Sequence, residues 1–452
     1  MALLKRYFIL FSLLAACCSL LTVFINTGHA KVYIDINAPA GKRLPIAIPD
    51  IKILGGLSAE SEAGGLLRDI LIHDLEFTGL FDVLDKKSYI EDPNKKPNDI
   101  DFKDWQVIGA DILIKGVLIA EEENLTVELK LFDAVQAKML TGRRYIGKKT
   151  NTRAIAHKFA SEVIEALTGE KGIFDTRFLF VSNSSGSKEV YMADYDGYNL
   201  RQVTRNGSIN ISPQWSPDGA RILYTSYKEG QPYLYMLELA TGRETRLSNQ
   251  PGINIGARWS PSGKEIALTL SKDGNPELYI LVPEHLYRGL ELGGMKLKRL
   301  TNNWAIDVSP SWSPDGKRLV FVSDIGGNPH IYMINSDATG LTRLTYDGKY
   351  NAAPAWSPKG DRIAFARQSE GRFDIWVMNA DGTGQIKLTS NSGDNENPSW
   401  SPDGRYIVFS STRDGGGNIY IMQNNGERQR RLTVENMTKG GQSSPSWSPY
   451  LQ

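Results

Sequence analysis

Along the second half of the chain, short apolar runs alternate with polar stretches rich in Gly and Pro, and no long run repeats with a helical period. Six aromatics, Tyr191, Tyr235, Tyr279, Tyr332, Trp376 and Tyr420, sit between aliphatic neighbours, from Val190 and Met192 to Ile419 and Ile421. Such runs fit strands buried on both faces. A two-residue marker follows each one: Val203-Thr204, Leu247-Ser248, Leu300-Thr301, Leu344-Thr345, Leu388-Thr389 and Leu432-Thr433. The triplet Trp-Ser-Pro recurs at Trp215, Trp259, Trp312, Trp356, Trp400 and Trp447, at intervals of 44, 53, 44, 44 and 47 residues. Three copies continue as Ser-Pro-Asp-Gly, at Ser216, Ser313 and Ser401. Proline presets φ at the first turn position and glycine accepts positive φ, so each copy predicts a tight hairpin turn.

One unit then reads as four strands: 354–357, 362–367, 373–379 and 385–389. Four short antiparallel strands per repeat make a propeller blade. The register predicts how the ring closes. The region opens at Arg177-Phe178-Leu179-Phe180, a second strand with no Trp-Ser-Pro strand before it. It ends at Ser446-Trp447-Ser448-Pro449, a first strand with nothing after it. The C-terminal strand is therefore expected to complete the blade begun near residue 176, giving six blades and no open edge. The long interval predicts an insertion near residues 283–298, between a third and a fourth strand.

Residues 31–170 lack the repeat. Val32 to Ile36 and Ile46 to Ile48 read as strands. Leu66, Leu67, Ile70, Leu71 and Leu75 share a helical face after Ser58 as N-cap. Residues 111–120, 125–132 and 139–147 read as a three-strand meander. Ile155, Phe159, Val163, Ile164 and Leu167 mark a closing helix after Thr152. The expected fold is thus two domains, an α+β N-terminal domain over 31–170 and an all-β six-bladed β-propeller over 175–452 closed by the C-terminal strand.

Residues 1–30 carry a different pattern. Lys5 and Arg6 precede an apolar run from Tyr7 to Ile25, and Gly28 and Ala30 supply small residues for cleavage. This is the pattern of a secretory signal peptide. A membrane anchor is one alternative. A lipoprotein signal is another, in which Leu14-Ala15-Ala16-Cys17 would leave Cys17 lipidated. Cys17 and Cys18 are the only cysteines, so the exported chain is expected to have neither disulfide nor thiolate chemistry.

Composition narrows the function. The chain of 452 residues has 52 Lys plus Arg against 51 Asp plus Glu, which offers no basic surface for nucleic acid. Beyond His29 in the leader, His73, His157, His285 and His330 are too dispersed for a zinc site, and each reads as an ordinary helix or surface residue. No Gly-x-Ser-x-Gly elbow is present. Asp218, Asp315 and Asp403 repeat with the blades and belong to the turns. The expectation is therefore a binding protein with no catalytic residue, cofactor or resident metal. A secreted propeller hydrolase or polysaccharide lyase is the alternative.

One constellation points to a binding site. The residue five before each repeat Trp is Asn210, Asn254, Asp307, Asn351, Asn395 and Gln442. Innermost propeller strands all start at one face of the channel, so these six predict a polar ring at one mouth. The alternative is that Asn suits the turn geometry of each entering loop. Oxygen ligands would suit a weakly held calcium ion, although Asp307 is the only acid in the ring.

The leader, the α+β region, the six Trp-Ser-Pro repeats and the ending Pro445-Ser446-Trp447-Ser448-Pro449-Tyr450-Leu451 together resemble the TolB family, periplasmic components of the Tol-Pal cell-envelope system. The repeat alone is shared with peptidase propellers. The start, Lys31-Val32-Tyr33-Ile34-Asp35-Ile36 followed by 43–49, is more specific. The resemblance implies a periplasmic scaffold supporting outer-membrane integrity and constriction at cell division, monomeric outside its complexes. It implies that Lys31, Val32, Tyr33, Ile34, Asp35 and Ile36 bind a TolA-like inner-membrane protein. An alternating segment there can add as a strand to a partner or fold back onto its own domain, and the alternative is that it is simply the domain's first strand. It also implies that the channel mouth near Asn254 and Asp307 binds a Pal-like lipoprotein. Ile253 stands where the family can carry a polar residue, so single contacts do not transfer.

Overall fold

The structure is a computed structural model that describes residues 43–451, apart from 55–57, 91–95, 97–98, 122, 284–294, 433, 435–436 and 438. The leader and the segment Lys31–Ile36 lie outside the described residues. The chain divides into two compact units between Lys171 and Gly172.

The first unit holds one six-stranded sheet and two long helices. Its strands run in the order Phe81–Val83, Leu44–Ala47, Ile112–Glu121, Asn124–Asp133 and Lys138–Lys148, with Lys52–Leu54 pairing the far part of Ile112–Glu121. The meander was legible: the last three are antiparallel, and the middle one is period-2 in its burial over most of its length. Leu125, Val127, Leu129 and Leu131 are buried, while the residues between them are half-buried. The helices Ser58–Thr78 and Thr152–Thr168 pack on each other and on this sheet. Ile155, Phe159, Val163, Ile164 and Leu167 are all buried, as their spacing requires. The first helix differs in one place. Leu67, Ile70, Leu71 and Leu75 are buried, but Leu66 is 43 % exposed, because the stripe facing the sheet is narrower than the apolar run. Two histidines are buried. His157 is buried and hydrogen-bonded through Nδ1 to the Asp74 carboxylate at 2.7 Å, bridging the two helices. In the second unit, His330 is buried, with Nδ1 3.2 Å from Thr345 Oγ1.

The second unit consists of six four-stranded antiparallel sheets. Blade 1 joins Gln442–Trp447 to Arg177–Ser182, Glu189–Asp194 and Arg201–Gln202. Blade 2 is Asn210–Trp215, Arg221–Ser226, Tyr233–Glu238 and Glu244–Ser248. The innermost strands of blades 3 to 6 are Asn254–Trp259, Asp307–Trp312, Tyr350–Trp356 and Asn395–Trp400. The insertion separates a third strand ending at Pro283 from a fourth beginning at Met295, and 284–294 lie outside the described residues.

Each marker in the repeat has a local reason. In the turn after Trp312, the Ser313 hydroxyl accepts from Arg318 N–H at 3.0 Å and donates to Asp315 at 2.5 Å. The Asp315 carboxylate accepts from Lys317 N–H at 3.0 Å, and these bonds hold it below the usual carboxylate range. The acid therefore serves the turn. The Leu-Thr marker plugs into the third strand: Thr204, Thr301, Thr345 and Thr389 accept the N–H of Val190, Leu278, Ile331 and Ile375 at 2.8–2.9 Å. Between blades the packing is apolar. Leu223, Leu234 and Met236 of blade 2 meet Trp259, Leu268 and Tyr279 of blade 3 in one cluster.

Candidate functional site: the two ends of the propeller channel

Counted from Asn210, Asn254, Asp307, Asn351, Asn395 and Gln442, every innermost strand is bulged between its second and fifth residues, as between Ile211 and Gln214. The third residue carries the strain. Ser212, Gly256, Ser309, Ala353, Asn397 and Ser444 all have φ between 47° and 66°. A left-handed residue in a bulge turns the strand and lets a proline follow it, as at Pro213, Pro310, Pro354, Pro398 and Pro445. It also explains why the strand of blade 5 begins at Tyr350, four residues before the expected start. The sequence signal was present: the third residue is small in all six repeats.

Asn210, Asn254, Asp307, Asn351, Asn395 and Gln442 open the six innermost strands and so share one end of the channel. Their side chains, however, do not line the mouth. The first five are fully buried, and Gln442 is 5 % exposed. They hold the loops that enter each strand. Asn254 Oδ1 accepts from Ser248 Oγ at 2.6 Å and Gln250 N–H at 3.2 Å, and its Nδ2 donates to Gln250 O at 2.8 Å. Asn210 Nδ2 donates to Lys188 O and to the Glu189 carboxylate. Asn351 and Asn395 accept from Arg367 and Arg413, each at 2.9 Å. Asp307 accepts from Asn303 Nδ2 at 2.7 Å. At this end of the channel the six residues thus form a buried polar ring of braces, because a short amide at a strand start reaches its own loop's backbone before it reaches solvent.

This end presents several apolar side chains to solvent among polar ones such as Arg205, Asn302, Asp347 and Lys349. Ile209, Ile306 and Tyr350 each precede a bracing residue, and they are 47 %, 48 % and 41 % exposed. Trp304 and Tyr346, in the loops entering blades 4 and 5, are 72 % and 70 % exposed. Three of these residues are held in place. Tyr350 packs edge-on against Phe373 at 5.6 Å, the Arg343 guanidinium lies 4.8 Å over the Tyr346 ring, and Ile306 N–H donates to Asp324 at 2.7 Å. The sequence reading passed over them, though an apolar residue immediately before a buried Asn, inside a polar loop, was a usable sign.

The other end is formed by the Trp-Ser-Pro turns. A cavity of about 390 Å³ opens there, lined by all six innermost strands. Its polar wall includes Ser212, Gln214, Arg258, Ser311, Asn397 and Ser399, and its apolar wall is Trp and Pro rings. Among the described residues, no group of three or more His, Cys, Asp or Glu is gathered to hold a metal ion. Fold and site together define a class: a β-propeller preceded by an α+β domain, with its distinctive surface at the two ends of the channel.

Family comparison gives this class a name. Residues 164–451 match the TolB beta propeller domain and residues 32–140 match the TolB amino-terminal domain. The chain belongs to the TolB family. It is 40 % identical over 190 residues to the Tol-Pal system protein TolB of Desulfosudis oleivorans, covering 41 % of this chain and 43 % of that protein. The corresponding protein of Syntrophotalea carbinolica is 42 % identical over 201 residues, covering 44 % and 46 %. These matches therefore span about half the length of the curated relatives. The crystal structure of TolB from Acinetobacter baumannii superposes with a TM-score of 0.75 at 27 % identity, covering 90 % of this chain and 97 % of that one.

Proposed function

We propose that this protein is a periplasmic, non-enzymatic binding scaffold of a Tol-Pal system. In this reading it links a Pal-like lipoprotein to a TolA-like inner-membrane protein in support of outer-membrane integrity and division. Membership of the TolB family supports the assignment. The observation that carries it is the exposed apolar rim of Ile209, Trp304, Ile306, Tyr346 and Tyr350 at one end of the channel. Rigid aromatic anchors in a polar surround are what a protein interface uses for most of its binding energy. The bracing residues Asn210, Asn254, Asp307, Asn351, Asn395 and Gln442 act beneath this surface, by presetting the loops so that little ordering is left to binding. Lys31, Val32, Tyr33, Ile34, Asp35 and Ile36 form the separate segment for the TolA-like protein.

Residues 1–30 are the cleaved signal, 31–170 the N-terminal domain and 175–452 the propeller. The division of the chain between Lys171 and Gly172 supports these bounds. Closure of the ring by the C-terminal strand is supported by its antiparallel pairing, Gln442 with Ser182 and Trp447 with Phe178. It would make the rim one continuous platform.

The test is a pull-down from envelopes with full-length exported protein. Trp304→Ala with Tyr346→Ala should abolish recovery of the Pal-like lipoprotein while the variant keeps its melting temperature. Deletion of residues 31–42 should abolish recovery of the TolA-like protein alone. Undiminished recovery of either partner would sink its half of the assignment.

A further inference from the structure

The cavity at the Trp-Ser-Pro end holds one charged side chain that the blade architecture does not explain. Arg258 is the fifth residue of its innermost strand. In blades 4, 6 and 1 that position is Ser311, Ser399 and Ser446. Two of these hydroxyls tie their blade to the next: Ser311 accepts Trp356 N–H at 3.0 Å and Ser399 accepts Trp447 N–H at 3.1 Å. A guanidinium has no acceptor and cannot do this. Arg258 is half-buried, and among the described residues its guanidinium makes one hydrogen bond, from Nη1 to the carbonyl of Ala257 at 3.1 Å. Among the described residues, no Asp or Glu lines the cavity. Burial pushes the Arg258 guanidinium down to about 10, with no acidic neighbour to oppose it. An unpaired charge in such a place is costly for the fold alone, and it is expected where a ligand supplies the counter-charge.

We propose that the Trp-Ser-Pro end of the channel binds a small organic monocarboxylate, its carboxylate on the Arg258 guanidinium and its apolar body against the tryptophan and proline rings. The planar fork of arginine matches a carboxylate through two parallel hydrogen bonds. One cation, with no helix N-terminus beside it, balances one negative charge, which favours a carboxylate over a phosphate dianion. Ser311, Ser399 and Gln214 stand around the same space as neutral polar groups. Trp312, Trp356, Trp400 and Pro398 line the rest of the space and suit a hydrocarbon or aromatic body. The cavity of about 390 Å³ lies within the range of small-ligand sites, about 300–1,000 Å³. This site is at the opposite end of the innermost strands from the apolar rim and does not depend on how the rim is used.

The experiment is calorimetric titration of the full-length exported protein with N-acetylphenylalanine, its neutral amide, and inorganic phosphate. The acid should bind at low millimolar concentration or tighter and perturb tryptophan fluorescence. The amide should bind about tenfold more weakly or not at all. Arg258→Ser, which installs the residue used at this position in three other blades, should remove acid binding, and Arg258→Lys should retain part of it. Equal binding of acid and amide, unchanged affinity in Arg258→Ser, phosphate binding as tightly as the acid, or no heat from the acid up to about 10 mM would each overturn the proposal.

Discussion

Trp312 donates its indole Nε1–H to the main-chain carbonyl of Arg258, 3.2 Å away, and so bolts the innermost strand of blade 4 to that of blade 3. The same bond recurs from Trp215 to Ser446 O at 3.2 Å and from Trp400 to Ala355 O at 2.9 Å. The Trp215 bond crosses the seam between the two ends of the propeller sequence. In these three blades the repeat tryptophan is a bond between blades as well as a core residue. Trp356 instead donates within its own turn, to Gly360 O, Trp447 donates to Thr176 Oγ1 at 2.8 Å, and the buried Nε1 of Trp259 meets no acceptor among the described residues.

Trp312→Phe keeps most of the apolar burial and deletes the donor. The Arg258 carbonyl loses its inter-blade partner, so stability should fall by about 1–3 kcal/mol. Urea unfolding should show a lower midpoint with an unchanged slope. An unchanged midpoint would mean that apolar packing alone holds these blades together.

Gly256 is the one glycine among the six left-handed bulge residues. A Cβ built on it would meet nothing nearer than Ser309 at 3.7 Å, which is ordinary contact. The cost of Gly256→Ala is therefore conformational, about 1 kcal/mol from the positive φ. A much larger loss in thermal unfolding would show that the site has no room for a Cβ.

Burial raises the Asp307 carboxyl above its ordinary range, against opposing hydrogen bonds from Ser323, Asn303 and Thr301. The folded chain thus holds this proton more tightly than the unfolded chain. The resulting stabilisation is complete below the unfolded pKa, about 4, and is lost as pH rises through the folded value. Asp307→Asn supplies the amide that blades 2, 3, 5 and 6 use and removes the ionisation. The variant should match the parent at about pH 4 and exceed it at about pH 7.5. A pH-independent difference would contradict this account.

Asn254→Ala should leave the Ser248 hydroxyl and the Gln250 N–H without their buried acceptor, at a cost of about 1–3 kcal/mol. Hydrogen exchange should quicken in the loop 249–253, and affinity for the partner at the rim should drop although the side chain is buried. Normal exchange with lost binding would instead make Asn254 a direct contact.

Local chemistry was legible. Turn proline and glycine, strand-length apolar runs and the 44-residue spacing predicted the blades and their number, because these signals act over a few residues. The N-terminal domain was read less completely. Lys52–Leu54, Phe81–Val83 and the short helix Phe102–Val107 were missed, since segments this short carry no readable period. The spacing also identified six equivalent residues, from Asn210 to Gln442, at one end of the channel. It did not reveal that their amides turn back onto the loops behind them.

The sequence by itself determined the repeat, the strand order within a blade and the place of each repeat position along the innermost strand, because turn chemistry and period-2 burial are properties of neighbouring residues. Only the tertiary structure decided what faces solvent and what faces the channel. Six bulges re-aim the innermost strands, Ile209, Trp304 and Tyr346 emerge at one end, and Arg258 enters a cavity whose walls come from all six blades. The physical reason is that exposure and charge pairing depend on residues far apart in the chain, which meet only when the ring has closed.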